Sequence, residues 1–333
     1  MGVSSSRAVV LSRRPSAVDD LECFDLVDRP VRALADGEVL VRVTTISVDP
    51  SMIPRLVTAT YAPAFEIGAP IESRAVGVVM ESRSERIPAG ATVLHWGGWQ
   101  EFAVVHESTV DMLEVTDDLT ADLWLHVLGA PGLTAYVGID SVARVQPGDV
   151  VWVSAVTGAV GSVAAQLARA RGASVIGSAG GAEKVDHATS ILGVEHCLDY
   201  REGDLVEQLR RVAPDGIDVY FDNVGGTHLE TALQVLRVGG RIVACGMISS
   251  YGQRDVRGVR HLDKVISSRL TIGGFLVADH LDKRPDFHAE ARRMLGDGTL
   301  RYDIARFEGL SAAPSALASL RQGNKLGKVL VYL

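Results

Sequence analysis

The sequence predicts an α/β protein in two parts, a β-rich domain and a doubly wound parallel sheet. Three observations predict it. The first 125 or so residues carry short apolar segments of period two, parted by turn residues, with no helix longer than a turn or two before residue 118. From Val150 onward, strands and helices alternate with short connections, which demands a parallel sheet covered by helices on both faces. A chain of 333 residues is also long enough for about two domains.

The elements follow in order. Gly37-Glu38-Val39-Leu40-Val41-Arg42-Val43 alternates as a half-buried strand should, and so do Ala75-Val76-Gly77-Val78-Val79-Met80 and Glu101-Phe102-Ala103-Val104-Val105. Asp36-Gly37, Ala89-Gly90 and Gly97-Gly98 supply turns between them. The texture changes near residue 126. After the turn Gln146-Pro147-Gly148-Asp149, the run Val150-Val151-Trp152-Val153-Ser154 is continuously apolar up to its last residue, as in a strand buried on both faces. A helix over 162–171 closes at Gly172, a strand covers 173–177, and a helix over 182–192 stops at Gly193. Strand 196–200, helix 205–212, strand 217–221, helix 227–238 ended by Gly239-Gly240, strand 241–245 and strand 270–277 complete six strands. Six such strands give the doubly wound dinucleotide-binding, or Rossmann, arrangement. A helix over 313–321 and a strand over 328–332 are expected to return to the first domain. The domains are therefore read as 1–125 with 296–333, and 126–295.

Composition narrows the function. Hydrophobic residues make up 47% and charged residues 22%, which is globular usage. Net charge is −8 and no basic cluster stands out, so no nucleic-acid partner is expected. Cys23, Cys197 and Cys245 are far apart, with no CxxC, which speaks against a disulfide scaffold or cysteine-bound zinc and for a reduced, cytoplasmic setting. The nine histidines form no HxH or HxxxH pair, so no metal is expected. His95-Trp96-Gly97-Gly98-Trp99 is a candidate pocket segment, with a structural role as the alternative, and His126 reads as a packing histidine. Met1-Gly2-Val3-Ser4-Ser5-Ser6 fits a myristoylation pattern that chance often supplies, and no apolar signal region follows it. The uncharged window 150–168 contains Ser154, Thr157, Gly158, Gly161 and Ser162 and divides into strand, glycine turn and helix, so no membrane partner is expected either.

Between the first buried strand and its helix lies Ala155-Val156-Thr157-Gly158-Ala159-Val160-Gly161-Ser162. It is AxxGxxG, with Val156 where the full fingerprint has its first glycine. Gly158 allows close approach to a pyrophosphate, Gly161 allows close packing of helix on strand, and the helix N-terminus supplies free N–H groups. The alternative is tight packing with no ligand. An NAD site places an acid about 20 residues on, at the end of the second strand. That place reads Gly177-Ser178-Ala179-Gly180-Gly181, with no acid, and Lys184, one of only five lysines, follows within a turn. A cation without a carboxylate indicates a 2′-phosphate and hence NADP(H); a solvated helix charge is the alternative for Lys184.

At this point the chain resembles the medium-chain dehydrogenases/reductases, and within them the zinc-independent prostaglandin and leukotriene reductases and alkenal double-bond reductases. The resemblance rests on Ser47-Val48-Asp49-Pro50, Gly129-Ala130-Pro131-Gly132-Leu133-Thr134-Ala135-Tyr136, Gly158-Ala159-Val160-Gly161-Ser162, Phe221-Asp222-Asn223-Val224-Gly225-Gly226, Cys245-Gly246-Met247-Ile248-Ser249-Ser250-Tyr251 and Asn324-Lys325-Leu326-Gly327-Lys328, in order over nearly the whole chain. It implies that the β-rich domain is GroES-like. It also implies cofactor roles: Gly158, Ala159, Val160 and Gly161 at the pyrophosphate, Lys184 and Tyr200 at the 2′-phosphate, Asn223 near a ribose, and Cys245, Gly246, Ile248, Ser249 and Tyr251 near the nicotinamide half. Phe275, Leu276, Val277 and Asn324 would close over the nicotinamide. The family reduces the carbon–carbon double bond of enones and enals with NADPH, and a homodimer is implied, consistent with an apolar edge strand over 270–277.

The residues agree with that chemistry. Carbonyl reduction in this superfamily uses zinc held by Cys and His, and here the corresponding region reads Ile71-Glu72-Ser73-Arg74-Ala75-Val76-Gly77. Hydride addition to the β-carbon of an α,β-unsaturated carbonyl places charge on an enolate oxygen, which needs only hydrogen-bond donors. Tyr251 is the candidate catalytic donor, helped by a cofactor ribose hydroxyl; a half-buried turn tyrosine is the alternative. Two departures stand out. Ser51 and Ile53 replace the family's Tyr and Arg after Val-Asp-Pro, and Ala278 replaces a Tyr. Both imply a wider, less charged pocket and a bulkier substrate, such as a secondary-metabolite intermediate. Quinone reduction and a non-catalytic NADPH-binding sensor remain alternatives to ene reduction.

Overall fold

The computed structural model describes residues 3–17, 20–251, 258–323 and 325–333. The chain divides into two units, Met1–Leu125 with Ile304–Leu333, and His126–Asp303.

In the first unit, β1 (Ser5–Leu11) and β2 (Phe24–Pro30) form an antiparallel pair. The main sheet holds β3 (Glu38–Ser47), β4 (Ala75–Ser82), β5 (Thr92–His95), β6 (Phe102–His106) and β7 (Asp111–Met112). The only α-helix of this stretch among the described residues is the single turn α1 (Met52–Arg55), besides short 3-10 turns. In β3, Arg42 points to solvent while Val41 and Val43 are buried, as the alternation requires, but Leu40 is buried as well because β4 and β6 both pair with β3. Val39, Val41, Val79, Ile87 and Val93 make one core of this unit.

The second unit opens with α2 (Ala130–Tyr136), which widens into a π-helical turn, Val137–Ala143. The sequence reading did not contain this helix. Its small residues let it press onto the sheet: a side chain at Gly138 would collide with the Phe221 ring. Then come β8 (Val150–Ser154), α3 (Gly161–Ala170), β9 (Ser174–Ala179), α4 (Ala182–Ser190), β10 (His196–Asp199), α5 (Leu205–Val212), β11 (Ile217–Asp222), α6 (Gly226–Val235), β12 (Leu236–Ala244), α7 (Asp263–Ser267), β13 (Thr271–Gly274) and α8 (Arg284–Gly296). The six strands lie in the order β10-β9-β8-β11-β12-β13, all parallel. Numbered along the chain this is 3-2-1-4-5-6, the doubly wound order, with its switch point between β8 and β11. Trp152 stacks on Tyr220 at 4.3 Å inside its core.

Three expectations shift. Helix α6 ends at Val235, and Gly239-Gly240 lie within β12 instead of stopping the helix. The sixth strand is four residues long, and Phe275 to Val277 follow it into a helical turn, Val277–Lys283. The second unit runs to Asp303, beyond the expected boundary at 295. Leu300 is buried, Gln166 pairs with both the N–H and the carbonyl of Arg301 (2.6 and 2.8 Å), and His187 meets Asp303 at 2.7 Å. The chain then adds β14 (Ile304–Glu308), α9 (Ala313–Gln322) and β15 (Lys328–Tyr332) to the first unit, with β15 antiparallel to β3.

Candidate active site

In the doubly wound unit, the described candidate residues fall at the carboxyl ends of the six strands, where such sheets bind ligands. The turn between β8 and α3 is tight. Ala155 adopts φ +48°, in the left-handed region glycine usually takes, and a Cβ at Gly161 would collide with its carbonyl oxygen, so residue 161 must be glycine. A Cβ at Gly158 would meet only that same oxygen, at 3.1 Å. The first turn of α3 therefore begins directly above the strand, and its Ser162 and Ala164 N–H groups donate to the Gly158 and Val160 carbonyls of the turn, at 3.0 and 2.9 Å. His126, read as a packing residue, is fully buried, and its Nε2 lies 3.3 Å from the Ala159 carbonyl, so it also steadies this turn.

Asn223 sits at the switch point. Its backbone N–H donates to Ser154 Oγ (2.9 Å) and its Nδ2 to the Ser154 carbonyl (2.7 Å), tying the end of β11 to the end of β8. Beneath it, Asp222 Oδ1 accepts from Tyr220 Oη and from the N–H groups of Val224 and Gly225 (2.8, 2.9 and 2.7 Å). Burial raises the Asp222 carboxyl above its usual range. The turn after β12 is pinned onto this one: Ser249 Oγ donates to the Val224 carbonyl at 2.6 Å, and Gly246 N–H donates to the Asp222 carbonyl at 2.9 Å. Burial, aided by Asp222, pushes the Cys245 thiol up to about 12, so it is held as a protonated thiol. The Tyr251 hydroxyl lies over Gly246, 3.6 Å from where a Cβ would stand, and accepts the Met247 N–H at 3.3 Å. Cys245, Gly246, Ile248, Ser249 and Tyr251 are thus gathered with Asn223. Phe275, Leu276 and Val277 follow β13 at the far end of the same edge, and Phe275 meets His280 edge-on at 6.2 Å. Asn324 lies outside the described residues.

Lys184 and Tyr200 lie at the other end of the edge, Lys184 in α4 after β9 and Tyr200 directly after β10. Among the described residues the Lys184 amine has no ion pair, and its pKa is lowered, first by burial and then by Arg201. Arg201 escaped the sequence reading. Its guanidinium crosses the Gly180-Gly181 turn: a Cβ at Gly180 would stand 2.7 Å from Tyr200 Oη and 2.8 Å from Arg201 Nε. The only signal was adjacency to Tyr200. Its relevance depends on Gly180 having no side chain, which spacing does not reveal.

The first unit holds the Val48-Asp49-Pro50 motif. Lys328, 1% exposed, donates to the Val48 carbonyl (2.8 Å) and Asp49 Oδ1 (2.6 Å), and this ammonium keeps the Asp49 carboxyl below its usual range despite burial. Ile53 is buried and lines a small cavity with Leu21, Phe24, Pro314 and Leu317. That departure is therefore a core-packing change in this unit. Trp99 is fully buried, and burial takes His95 down to about 4, which leaves both in the core, while Trp96 is half exposed under Arg74.

Comparison with known proteins decides the family. Residues 159–295 match the family described as "Zinc-binding dehydrogenase", and residues 7–113 match "N-terminal domain of oxidoreductase". The chain is 34% identical to NADPH-dependent curcumin reductase of Escherichia coli K12, over 98% of this chain and 96% of that protein. The chain belongs to the medium-chain dehydrogenases/reductases. Its place is in their alkenal double-bond reductase branch: it is also 37% identical to the NADP(+)-dependent 2-alkenal reductase of Nicotiana tabacum, over 89% of this chain and 88% of that one. The structure of CurA from Vibrio vulnificus in complex with NADPH superposes with a TM-score of 0.93, at 32% identity and 98% coverage of both chains. The matching family description mentions zinc, yet among the described residues no three His, Cys, Asp or Glu side chains are grouped to hold a metal ion in this reductase.

Proposed function

We propose that this reductase uses NADPH to saturate the carbon–carbon double bond of an α,β-unsaturated carbonyl compound. Full-length likeness to reductases named for that chemistry carries the reading. The nucleotide fits the doubly wound unit: glycine-lined backbone at the start of α3, Tyr200 and Arg201 packed against Gly180 where any Cβ would collide with them, and Lys184 nearby with no acid at the end of β9.

When bound, NADPH supplies the hydride that reduces the β-carbon. The chain's own task is to hold the charge that develops on the carbonyl oxygen. Tyr251 Oη donates to that oxygen, and the Met247 N–H it accepts polarises the hydroxyl toward donation. Tyr251 or water then delivers the proton to the α-carbon. Asn223 and Gly158 to Gly161 orient the nucleotide, and Lys184, Tyr200 and Arg201 take the 2′-phosphate as charged and hydroxyl donors.

The active form is read as a cytoplasmic homodimer. The edge of β13 is unpaired among the described residues, and its own Ile272 is 44% exposed. A second copy adding its own edge would cover both. No helix of the described residues is long and apolar enough to cross a membrane.

NADPH consumption with product identification, across short enals, bulky cyclic enones and quinones, tests the function. Saturated carbonyl products are expected, and the KM ranking reads the pocket size. Turnover confined to quinones would replace the reading with quinone reduction.

A further inference from the structure

We propose that Asp199 is the positioning residue of the 2′-phosphate corner, a clasp that sets Lys184 and Arg201 on one side of the Gly180-Gly181 turn. The inference rests on the reading of that corner given above. Asp199 is the last residue of β10. Its Oδ2 accepts the Gly181 N–H at 2.9 Å and its Oδ1 accepts the Arg201 N–H at 3.0 Å, so one carboxylate joins the turn before α4 to the turn after β10. Gly181 stands at φ +94°, and its carbonyl accepts the N–H groups of Lys184 and Val185 at 3.1 and 3.2 Å. The first turn of the lysine's helix therefore hangs from the residue that Asp199 holds. On its other side, the Asp199 carbonyl accepts Gln208 Nε2 at 3.0 Å, which anchors the clasp to α5.

The charge pattern gives the arrangement its meaning. A carboxylate at the end of β9 would face a ribose hydroxyl and repel a phosphate. Asp199 lies one strand further out, and each of its oxygens is turned into a backbone N–H. These bonds spread its charge into the turns, while the two side-chain cations those turns carry are left to meet the phosphate. An acid at this corner thereby serves NADPH.

Fluorescence titrations of NADPH and NADH with the full-length protein test the clasp. The variants are Lys184→Ala, Asp199→Ala, Asp199→Asn and the double Lys184→Ala/Asp199→Ala. Lys184→Ala is expected to weaken NADPH about ten- to hundredfold and leave NADH within about twofold, the range for a charged hydrogen bond. Asp199→Ala is expected to weaken NADPH about tenfold with NADH again within about twofold. Asp199→Asn, which keeps one acceptor, falls between. The double variant loses less than the product of the two single losses, because the clasp acts through the lysine. Equal losses for both nucleotides, multiplicative losses in the double, or no loss at all would overturn the clasp; if Asp199→Ala does not fold, Asp199→Asn carries the same comparison. Selective loss in Lys184→Ala with unselective Asp199 variants removes the clasp alone. Unselective loss in Lys184→Ala removes the phosphate reading and the clasp with it.

Discussion

Tyr251 concentrates the proposed chemistry in one hydroxyl. Its Oη stands over Gly246 at the end of β12, in a turn fastened to Asp222 and Val224 by backbone and Ser249 bonds. Those bonds do not depend on the phenol oxygen, so its removal should leave the turn in place. Tyr251→Phe is expected to lower kcat by about a hundredfold or more, the range for losing one donor to a developing oxyanion, with NADPH affinity within about twofold. Steady-state kinetics with a nucleotide titration check it; an unchanged kcat would remove Tyr251 from the mechanism. Ile53 teaches the opposite lesson at the same scale. A departure from the family motif looked like a change of pocket, yet the side chain is buried with Leu21, Phe24 and Leu317.

At the scale of elements, legibility followed the burial pattern. The apolar run of β8 is buried at all but its first residue, and α5 and β15 occupy the ranges their spacing indicates. Elements shaped by tertiary contact were less legible. Helix α2 carries Pro131 and Gly132 and runs into Gly138 of the π-helical turn, all poor formers, and the segment exists because its glycines fit against Val127 and Phe221. Strand β2 buries no residue fully and is defined by its register with β1. The Leu236-Arg237-Val238 segment reads as helix but belongs to strand β12, leaving Val238 exposed. The glycine turn was legible because its chemistry is local, whereas the Arg201 and Asp199 contacts join two turns and need the fold. Helix α6 yields a pH prediction. It places His228 on Trp152 (5.8 Å) and against Tyr200 (5.2 Å), and burial lowers its pKa to about 4. Between the ordinary histidine value and about 4, the unfolded chain binds a proton that the folded chain refuses, so stability falls as pH falls through that window. The full cost is about 3 kcal/mol. His228→Leu is expected to lose about 2 kcal/mol less than the parent between pH 7 and pH 4.5, by denaturant unfolding; equal losses would mean that His228 is protonated in the folded state.

For the whole molecule, net charge is −8, and in the proposed dimer a second copy would pair along the free edge of β13, where Ile272 is 44% exposed. Ile266→Asp combined with Ile272→Lys should convert a dimer to a 35.5 kDa monomer in light scattering, while an unchanged mass would place the interface elsewhere. The central claim concerns where the hydride goes. Turnover of an enone with NADPH deuterated at the transferred position, followed by NMR of the product, reads it directly. The account predicts a saturated ketone with deuterium at the β-carbon. Deuterium on the carbinol carbon of an allylic alcohol would contradict it.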